Sequence, residues 1–362
     1  MKPAHEYFER IILEAKKNGA SDIHLLRDMP PMFRHTGEIG SSKNWPALDK
    51  SFLQDLAEAL LEPDQRERLK REREICISYF SDRCGRHRLT FYHRLGTVEM
   101  AVRLAQTEIL GREDLGLPTT VDKVLANASG LILVTGPTGS GKTTTLNYMI
   151  DSLNRSRNGK IITIEDPVEF EHSHKCCLVT QIEVGPDTLA FSSFLRSALR
   201  LDPDVLVIGE MRDLETISTA LASAETGHLV LATLHTSSAM NTAERIINSF
   251  PGDKQSQIAL QVAATLLAVF SQRLIPTVDK QKRVLASEVM LGSLAVRNLI
   301  RERNFHKLPS VVETSRQQGM HSLELSLAEL YNNEIISRAS AFANANNQAH
   351  LESILKKQTG AE

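Results

Sequence analysis

Apolar residues follow helical spacing in some parts of the chain and strand spacing in others, and this predicts a small α+β domain first. A helix is predicted over residues 4–18, and further helical patterns cover 45–61 and the charge-rich stretch 62–74. Between residues 75 and 104 the apolar period changes to two, which is typical of antiparallel strands. Helices followed by such strands predict an α+β domain over residues 1–105.

The second half of the chain has a different pattern, which predicts a doubly wound α/β domain. Residues 106–118 are polar and contain two glycines and a proline, so they are predicted to be a linker. Over residues 119–290, short and nearly continuous apolar runs alternate with helical stretches. Such runs are typical of parallel strands that are covered on both faces. Beyond residue 252 the chain is predicted to be mostly helical, with a helical C-terminal region over 291–362 and a loose segment at 340–349.

A glycine-rich stretch between one apolar run and a helical pattern matches the phosphate-binding motif G-x-x-x-x-G-K-[ST]. A strand, a tight turn and a helix start direct backbone N–H groups and a positive dipole end at one point, which favours a polyphosphate. Lys142 is expected to reach the β- and γ-phosphates, and Thr143 is expected to hold Mg²⁺. The residues predicted to bind ATP are Gly136, Pro137, Thr138, Gly139, Ser140, Gly141, Lys142, Thr143 and Thr144.

The composition is that of an ordinary soluble globular protein. Of the 362 residues, 41% are hydrophobic and 24% are charged, and the length favours two or three domains. The net charge of −2 argues against a strong overall attraction to nucleic acid. The four cysteines form no C-x-x-C pair, so no zinc site is expected and a reducing cytoplasmic environment is favoured. The most apolar late segment, residues 258–270, is too short to span a bilayer.

Acidic residues follow two of the predicted strands, and the active-site residues of parallel sheets lie at the carboxyl ends of the strands. Glu210 follows the run 205–208, which is expected to lie next to the phosphate loop, so we predict that Glu210 belongs to the magnesium shell and activates water. The alternative for Glu210 is a helix cap or a surface acid. Glu165 is predicted to share the role of base, with Asp166 capping the following turn.

Four histidines are candidates for a catalytic or metal-binding role. His228 and His235 bracket the run 229–234, and both are predicted to join the acids beside Lys142. A hydrogen-bonded core histidine is the open alternative for each of them. His172 and His174 have the spacing of a metal pair, but an exposed loop is the favoured interpretation.

Four of these stretches resemble the Walker A, Asp, Walker B and His boxes of secretion-type ATPases. They are residues 136–143, 164–169, 202–213 and 225–236. The chain most resembles the pilus-retraction (PilT/PilU) branch of these ATPases, since residues 20–25 resemble its N-terminal signature. Residues 295–302 resemble its C-terminal helix motif, with Val296 where isoleucine is usual. The chain lacks the tetracysteine insertion of the assembly ATPases.

The resemblance implies a homohexamer whose protomers have a PAS-like N-terminal domain and a RecA-like ATPase domain, with ATP at the interface between the domains. It also implies arginines that reach the γ-phosphate, and Arg88 and Arg103 match those positions, with Arg94 as a third candidate. A surface ion pair is the alternative for each arginine. An arginine that binds only the triphosphate form would convert hydrolysis into movement.

The function that the resemblance implies is an ATP-driven motor for type IV pilus retraction, and hence twitching motility. Such a motor would be cytoplasmic and peripheral to the inner membrane, and it would act on an inner-membrane platform protein. It would associate with the membrane only through partners, and a paralogous retraction ATPase is a further expected partner. An accessory or regulatory ATPase is the first alternative. A nucleic-acid translocase is the second, although the net charge and the lack of a basic, aromatic-studded face oppose it.

Overall fold

The computed structural model describes residues 3–35, 37–42, 44–104 and 108–359. Gln106 and Thr107, the first two residues of the predicted linker, lie outside the described residues, as does Ala105 at the end of the predicted N-terminal domain. The chain divides into two compact units. The first comprises residues 1–108 and 167–171, and the second comprises 109–166 and 172–362.

The first unit is an antiparallel sheet with helices. Its elements in chain order are α1 (Pro3–Lys17), β1 (Asp22–Leu25), β2 (Met32–His35), β3 (Glu38–Ser41), α2 (Lys50–Leu60), α3 (Pro63–Glu72), β4 (Glu74–Ser81), β5 (Gly85–Arg94) and β6 (Thr97–Leu104). The described strands form a six-stranded sheet in the order β3-β2-β1-β6-β5-β4. Alternate residues of β4 point into one core with α1 and α2, as the period of two predicts.

Two details of the first unit differ from the sequence prediction. The second helix begins at Lys50 rather than at residue 45, because the Asp49 carboxylate caps the helix by accepting a hydrogen bond from the backbone N–H of Phe52 at 2.7 Å. Strands β2 and β3 were not predicted. Each has four residues, which is too short for alternation to be recognised in the sequence.

The second unit alternates strands and helices and then ends in helices. Its elements are α4 (Thr120–Leu125), β7 (Gly130–Thr135), α5 (Lys142–Ser156), β8 (Gly159–Glu165), β9 (Cys177–Glu183), α6 (Phe191–Ala198), β10 (Val205–Ile208), α7 (Leu214–Glu225), β11 (Leu229–Leu234), α8 (Ala239–Asn248), α9 (Gly252–Thr265), β12 (Leu266–Pro276), β13 (Arg283–Leu291), α10 (Leu294–Arg301), α11 (Leu308–Thr314), α12 (Leu323–Asn332), α13 (Arg338–Asn344) and α14 (Gln348–Thr359).

Helices cover both faces of the sheet in the second unit. Along β7, Leu131 and Leu133 pack into the core cluster that contains residues of α7, α8 and α9. The alternate residues Ile132 and Val134 pack into the cluster that contains residues of α4 and α5. A sheet buried on both faces explains the continuous apolar runs of its strands. The predicted doubly wound α/β fold is therefore confirmed.

The strand order corrects one prediction and adds two strands that the sequence did not predict. In the order β13-β12-β7-β11-β10-β8-β9, β11 lies between β7 and β10, so the strand before Glu210 does not lie next to the strand before the phosphate loop. The chain beyond residue 252 is mostly helical, as predicted, but it also contains two strands that the sequence did not predict. β12 pairs in parallel with β7, and β13 pairs with β12 as an antiparallel edge strand. Periodicity alone does not distinguish a short apolar run in a strand from one in a buried helix.

The C-terminal segment 340–349, predicted to be loose, lies largely in α13 and α14 and is fixed by tertiary contacts. The buried Glu324 carboxylate accepts a hydrogen bond from the backbone N–H of Asn347 at 2.9 Å. The Arg273 guanidinium donates to the backbone carbonyl of Asn344 and to the side chain of Asn346. Leu351 is fully buried in an apolar cluster with residues of α12. No helix in the described ranges is long and apolar enough to cross a bilayer.

We predict that Leu351→Ala loosens α14. Removal of the buried isobutyl group should lower the free energy of local opening by about 2–5 kcal/mol. Amide hydrogen exchange across residues 348–357 measures this, with Glu352→Gln on the exposed side of the same helix as the control. Equal protection in Leu351→Ala and the wild type would show that α14 is held by something other than this cluster.

Candidate active site

The phosphate loop joins the end of β7 to the start of α5, and its backbone geometry requires glycine at two positions. Gly136 has φ +142°, and a Cβ there would lie 2.4 Å from the backbone carbonyl of Gln272 on β12. Gly141 is the N-cap of α5 with φ +89°. Both φ values are in the region that favours glycine. The loop therefore turns tightly against β12 and directs the first N–H groups of α5 outward.

Polar groups line the loop in a pattern that suits a polyphosphate. The Ser140 hydroxyl is buried and has no hydrogen-bond partner among the described residues. Thr143 and Thr144 are half-buried in the first turn of α5, and Pro137, Thr138 and Gly139 are exposed. Hydroxyl groups and unpaired backbone N–H groups are the donors that bind phosphate oxygens, and a threonine hydroxyl suits Mg²⁺. The residues present therefore fit both ATP and its metal ion.

Lys142 is held under the loop. Its side chain is almost buried, and its ammonium group donates to the backbone carbonyls of Gly136 and Pro137 at 2.9 and 3.0 Å. It also lies 3.5 Å from Nδ1 of His235. Burial lowers the pKa of Lys142, and the nearby Glu210 carboxylate acts in the opposite direction. The positive charge of Lys142 is therefore held at the phosphate loop, where it can compensate the negative charge of a bound polyphosphate.

Glu210 reaches this group through His235. One carboxylate oxygen of Glu210 lies 3.2 Å from Nε2 of His235, and the other lies 2.9 Å from the Arg212 guanidinium. Burial opposes ionisation of Glu210, but the hydrogen bonds from Arg212 and His235 and the charge of Arg212 hold the pKa of Glu210 below its usual value. These partners assign the tautomer in which Nε2–H faces the carboxylate and Nδ1 accepts from Lys142.

The intervening strand explains why this contact forms although β10 is not the neighbour of β7. His235 directly follows β11, the strand that separates β10 from β7, so its ring lies between groups from those two strands. The segment after β10 is fixed by backbone hydrogen bonds from Gly209 to Ile164 and from Met211 to Thr233. The structure thus brings together Lys142, His235 and Glu210.

Glu165 lies at the same edge of the sheet but farther from the loop. It ends β8, which is three strands from β7, or about 14 Å at the usual strand spacing. Its carboxylate accepts hydrogen bonds from the Thr163 hydroxyl at 2.6 Å and from the Gln181 amide at 3.1 Å. Asp166 is exposed, and one of its carboxylate oxygens lies 3.7 Å from the Arg212 guanidinium.

His228 is not part of this group, so the prediction that it gathers beside Lys142 is wrong. It precedes β11, and six residues of strand, about 20 Å, separate it from the edge that carries His235. Its ring Nδ1 lies 3.0 Å from the backbone carbonyl of Ser223. It lines a cavity of about 270 Å³ at the amino ends of the strands, together with Arg157, Lys160 and Asp204.

The candidate arginines lie on the sheet of the first unit. Arg88 of β5 pairs in register with Arg103 of β6, so the two are neighbours on the sheet. The Arg88 guanidinium donates to the Cys76 sulfur at 3.1 Å, and that of Arg103 to the Asp22 carboxylate at 3.1 Å.

Arg94 is held differently from those two arginines. It makes two 2.8 Å hydrogen bonds to the buried Glu99 carboxylate, a bidentate ion pair. Such a pair fixes a guanidinium in place, so Arg94 is less available for phosphate than the other two.

The structure also corrects the prediction that the histidine pair after β8 lies in an exposed loop. His172 is buried rather than in an exposed loop, and its Nε2 lies 3.2 Å from the Asn147 side-chain oxygen. Burial lowers the pKa of His172 to about 4. His174 is exposed, and its Nδ1 accepts from the backbone N–H of Val179. Among the described residues, no group of three or more His, Cys, Asp or Glu side chains could hold a metal ion.

Sequence reasoning missed two residues of the site. Arg212 stands in the Walker B stretch and contacts Glu210, but the pattern gave it no role. Gln272 donates from its side chain to the Thr145 hydroxyl at 2.8 Å, and its backbone carbonyl closes the loop at Gly136. A polar residue inside the apolar run of β12 was the available signal for Gln272, but that run was predicted to be helical.

Known proteins resemble this chain over most of its length. A family model described as type II/IV secretion system protein matches residues 98–361. The chain is 42% identical to the type IV pilus retraction ATPase PilT of Pseudomonas aeruginosa, over 90% of this chain and 94% of that protein. It is 35% identical to the type IV pilus ATPase PilU of the same organism, over 96% of this chain and 91% of that protein.

A solved structure agrees with these relatives. The crystal structure of the pilus retraction motor PilT with bound ADP has a TM-score of 0.87 and is 41% identical, and the match covers 95% of this chain and 98% of that one. The chain therefore resembles pilus retraction ATPases over nearly its whole length, both in sequence and in fold. The chain belongs to the type II/IV secretion system protein family and, within it, to the type IV pilus ATPases that include PilT and PilU.

Proposed function

We propose that this chain hydrolyses ATP at the phosphate loop and that the hydrolysis powers retraction of a type IV pilus. The observation that carries the chemistry is the chain of contacts from Lys142 through His235 to Glu210. The observation that carries the biological role is the near full-length similarity to a retraction ATPase. In this proposal residues 119–290 form the ATPase domain and residues 1–105 form the PAS-like domain.

The residues of the loop bind and orient the triphosphate. The N–H groups at the start of α5 and the buried Ser140 hydroxyl donate to phosphate oxygens, and the Lys142 ammonium compensates charge on the β- and γ-phosphates. Thr143 and Glu210 would hold Mg²⁺, largely through water, and the ion would neutralise charge on the same oxygens.

Glu210 and His235 form the hydrolytic pair. Because its pKa is held low, the Glu210 carboxylate is ionised at neutral pH and can accept a hydrogen bond from the attacking water. Phosphoryl transfer depends mainly on positioning and charge stabilisation, so a weakly basic carboxylate is sufficient. His235 contacts both Glu210 and Lys142 and therefore responds to what Lys142 binds. Glu165 is the second candidate for the base.

The proposed motor works as a homohexamer in the cytoplasm, peripheral to the inner membrane, and it acts on the membrane platform of the pilus machine. Arg88 and Arg103 would bind the γ-phosphate and so make the arrangement of the protomer depend on the nucleotide. These proposals rest on the resemblance to retraction ATPases. The similarity to PilU favours a second candidate, an accessory ATPase that works with a paralogous motor.

We predict that Lys142→Ala abolishes phosphate release by the purified protein, because the charge that compensates the γ-phosphate is lost. In cells whose own copy carries this substitution, retraction should stop, and surface pili should accumulate without movement. Phosphate release and counts of surface pili measure the two effects. Normal movement of the mutant cells, together with lost hydrolysis in vitro, would favour the accessory role.

We predict that Glu210→Gln and His235→Ala each lower kcat for ATP by about 10²-fold and leave the KM for ATP within about threefold, because both residues act mainly in the hydrolytic step, whereas the loop and Lys142 bind the nucleotide. The matched controls are Glu225→Gln and His228→Ala, an acid and a histidine at the opposite edge of the sheet. Both controls should keep kcat within about twofold of the wild type. A His228→Ala effect as large as that of His235→Ala would contradict the assignment.

A further inference from the structure

The position of His235 depends on the segment that joins β11 to α8. This segment covers residues 235–238 and leads directly into the first residue of α8, Ala239. Side-chain packing cannot hold His235 alone, since 39% of its side chain is exposed. Its backbone must therefore be held from elsewhere if the ring is to stay between Lys142 and Glu210.

The segment and the first turn of α8 are hydrogen-bonded into one body. The Thr236 and Thr242 hydroxyl oxygens lie 2.7 Å apart, and the Thr242 hydroxyl donates to the backbone carbonyl of Ser238 at 2.7 Å. The Arg245 guanidinium donates to the backbone carbonyl of His235 at 3.3 Å. A restraint on the start of α8 is therefore transmitted to His235.

Glu288 supplies that restraint from a different strand. Ser238 is the N-cap of α8, but its side chain makes no capping hydrogen bond to its own helix. Instead, the backbone N–H of Ala239 donates to one oxygen of the Glu288 carboxylate, and the Ser238 hydroxyl lies 3.4 Å from the other. A carboxylate at a helix N-terminus also favours the positive end of the helix dipole.

Glu288 is buried in the sheet that carries the phosphate loop. Glu288 lies on β13 and is only 1% exposed. It pairs in register with Ser271 of β12, and Ser271 pairs in register with Thr135, the last residue of β7. Burial raises the pKa of Glu288 to about 7, against the hydrogen bonds from Ala239 and Ser238. The buried Glu324 raises the pKa further, and Arg273 lowers it. A polar group this deep is costly unless it is hydrogen-bonded, and among the described residues Ser238 and Ala239, at the start of α8, donate to the Glu288 carboxylate.

We propose that Glu288 is a positioning residue for ATP hydrolysis: it anchors the first turn of α8 to the sheet and thereby fixes His235 between Lys142 and Glu210. This proposal rests on the proposed ATPase function. Glu288 does not touch the nucleotide, so its loss should affect the hydrolytic step and leave nucleotide binding by the loop intact.

Two substitutions of matched length test the hydrogen bond in the full-length protein. Glu288→Met removes the acceptor and should lower kcat about 10- to 100-fold with KM for ATP within about threefold, since small displacements of a catalytic group have effects of that size. Glu288→Gln keeps an oxygen for the Ala239 N–H and should keep kcat within about threefold. Glu324→Met is the control, because it removes another buried acceptor, whose donor is the N–H of Asn347 at the start of α14. It should leave kcat within about twofold.

A double-mutant cycle separates positioning of His235 from a general structural role. If Glu288 acts through His235, Glu288→Met in a His235→Ala background should lower kcat by less than about twofold further. An equal loss in both backgrounds, or an unchanged kcat in Glu288→Met, would overturn the proposal. A large loss in folded Glu288→Gln would also overturn it, and this outcome can be read even if Glu288→Met does not fold. If His235→Ala itself has wild-type kcat, the proposed function of His235 is wrong. If His235→Ala lowers kcat but Glu288→Met leaves it unchanged, only the positioning role of Glu288 is wrong.

Discussion

The ammonium group of Lys142 is the charge on which the site depends. It is nearly buried, it donates to two backbone carbonyls of its own loop, and it lies 3.5 Å from the imidazole that also contacts Glu210. Carbonyls are weaker partners for a buried cation than phosphate oxygens are. A triphosphate in the loop would therefore compete for this ammonium group, and the imidazole is the first side chain affected by the exchange.

The sheet determines which side chains can take part in that exchange. Because β11 lies between β7 and β10, a residue that follows β11 can contact residues that follow both neighbours, and His235 occupies this position. Strand direction excludes His228 from this group, because His228 precedes β11 and therefore lies at the opposite edge of the sheet. β12 lies close to the loop at Gly136, and Glu288 anchors the start of α8. These two contacts fix Lys142 on one side of the group and His235 on the other.

The sequence predicted the parts of the site that depend on neighbouring residues in the chain. The phosphate loop, the acid after β10 and the histidine after β11 each follow from a short motif beside an apolar run. Strand order could not be derived in the same way, because pairing between distant segments leaves no local pattern. The same limit explains why β12 and β13 were placed in a mostly helical region and why residues 340–349 were predicted to be loose: Asn347 is held by Glu324 of α12, far away in the sequence. The error at His228 was avoidable, because parallel strands place a residue before a strand at the opposite edge from a residue after it.

The central claim is that the γ-phosphate changes the partners of Lys142 and that His235 detects the change. A structure of the protein with Mg²⁺ and a non-hydrolysable ATP analogue tests it most directly. The account predicts that Nζ of Lys142 leaves the carbonyls of Gly136 and Pro137 for phosphate oxygens, while Glu210 and His235 face the γ-phosphate through water. A bound analogue with Lys142 still on those carbonyls, or with His235 turned away from Glu210 and the phosphate, would contradict it.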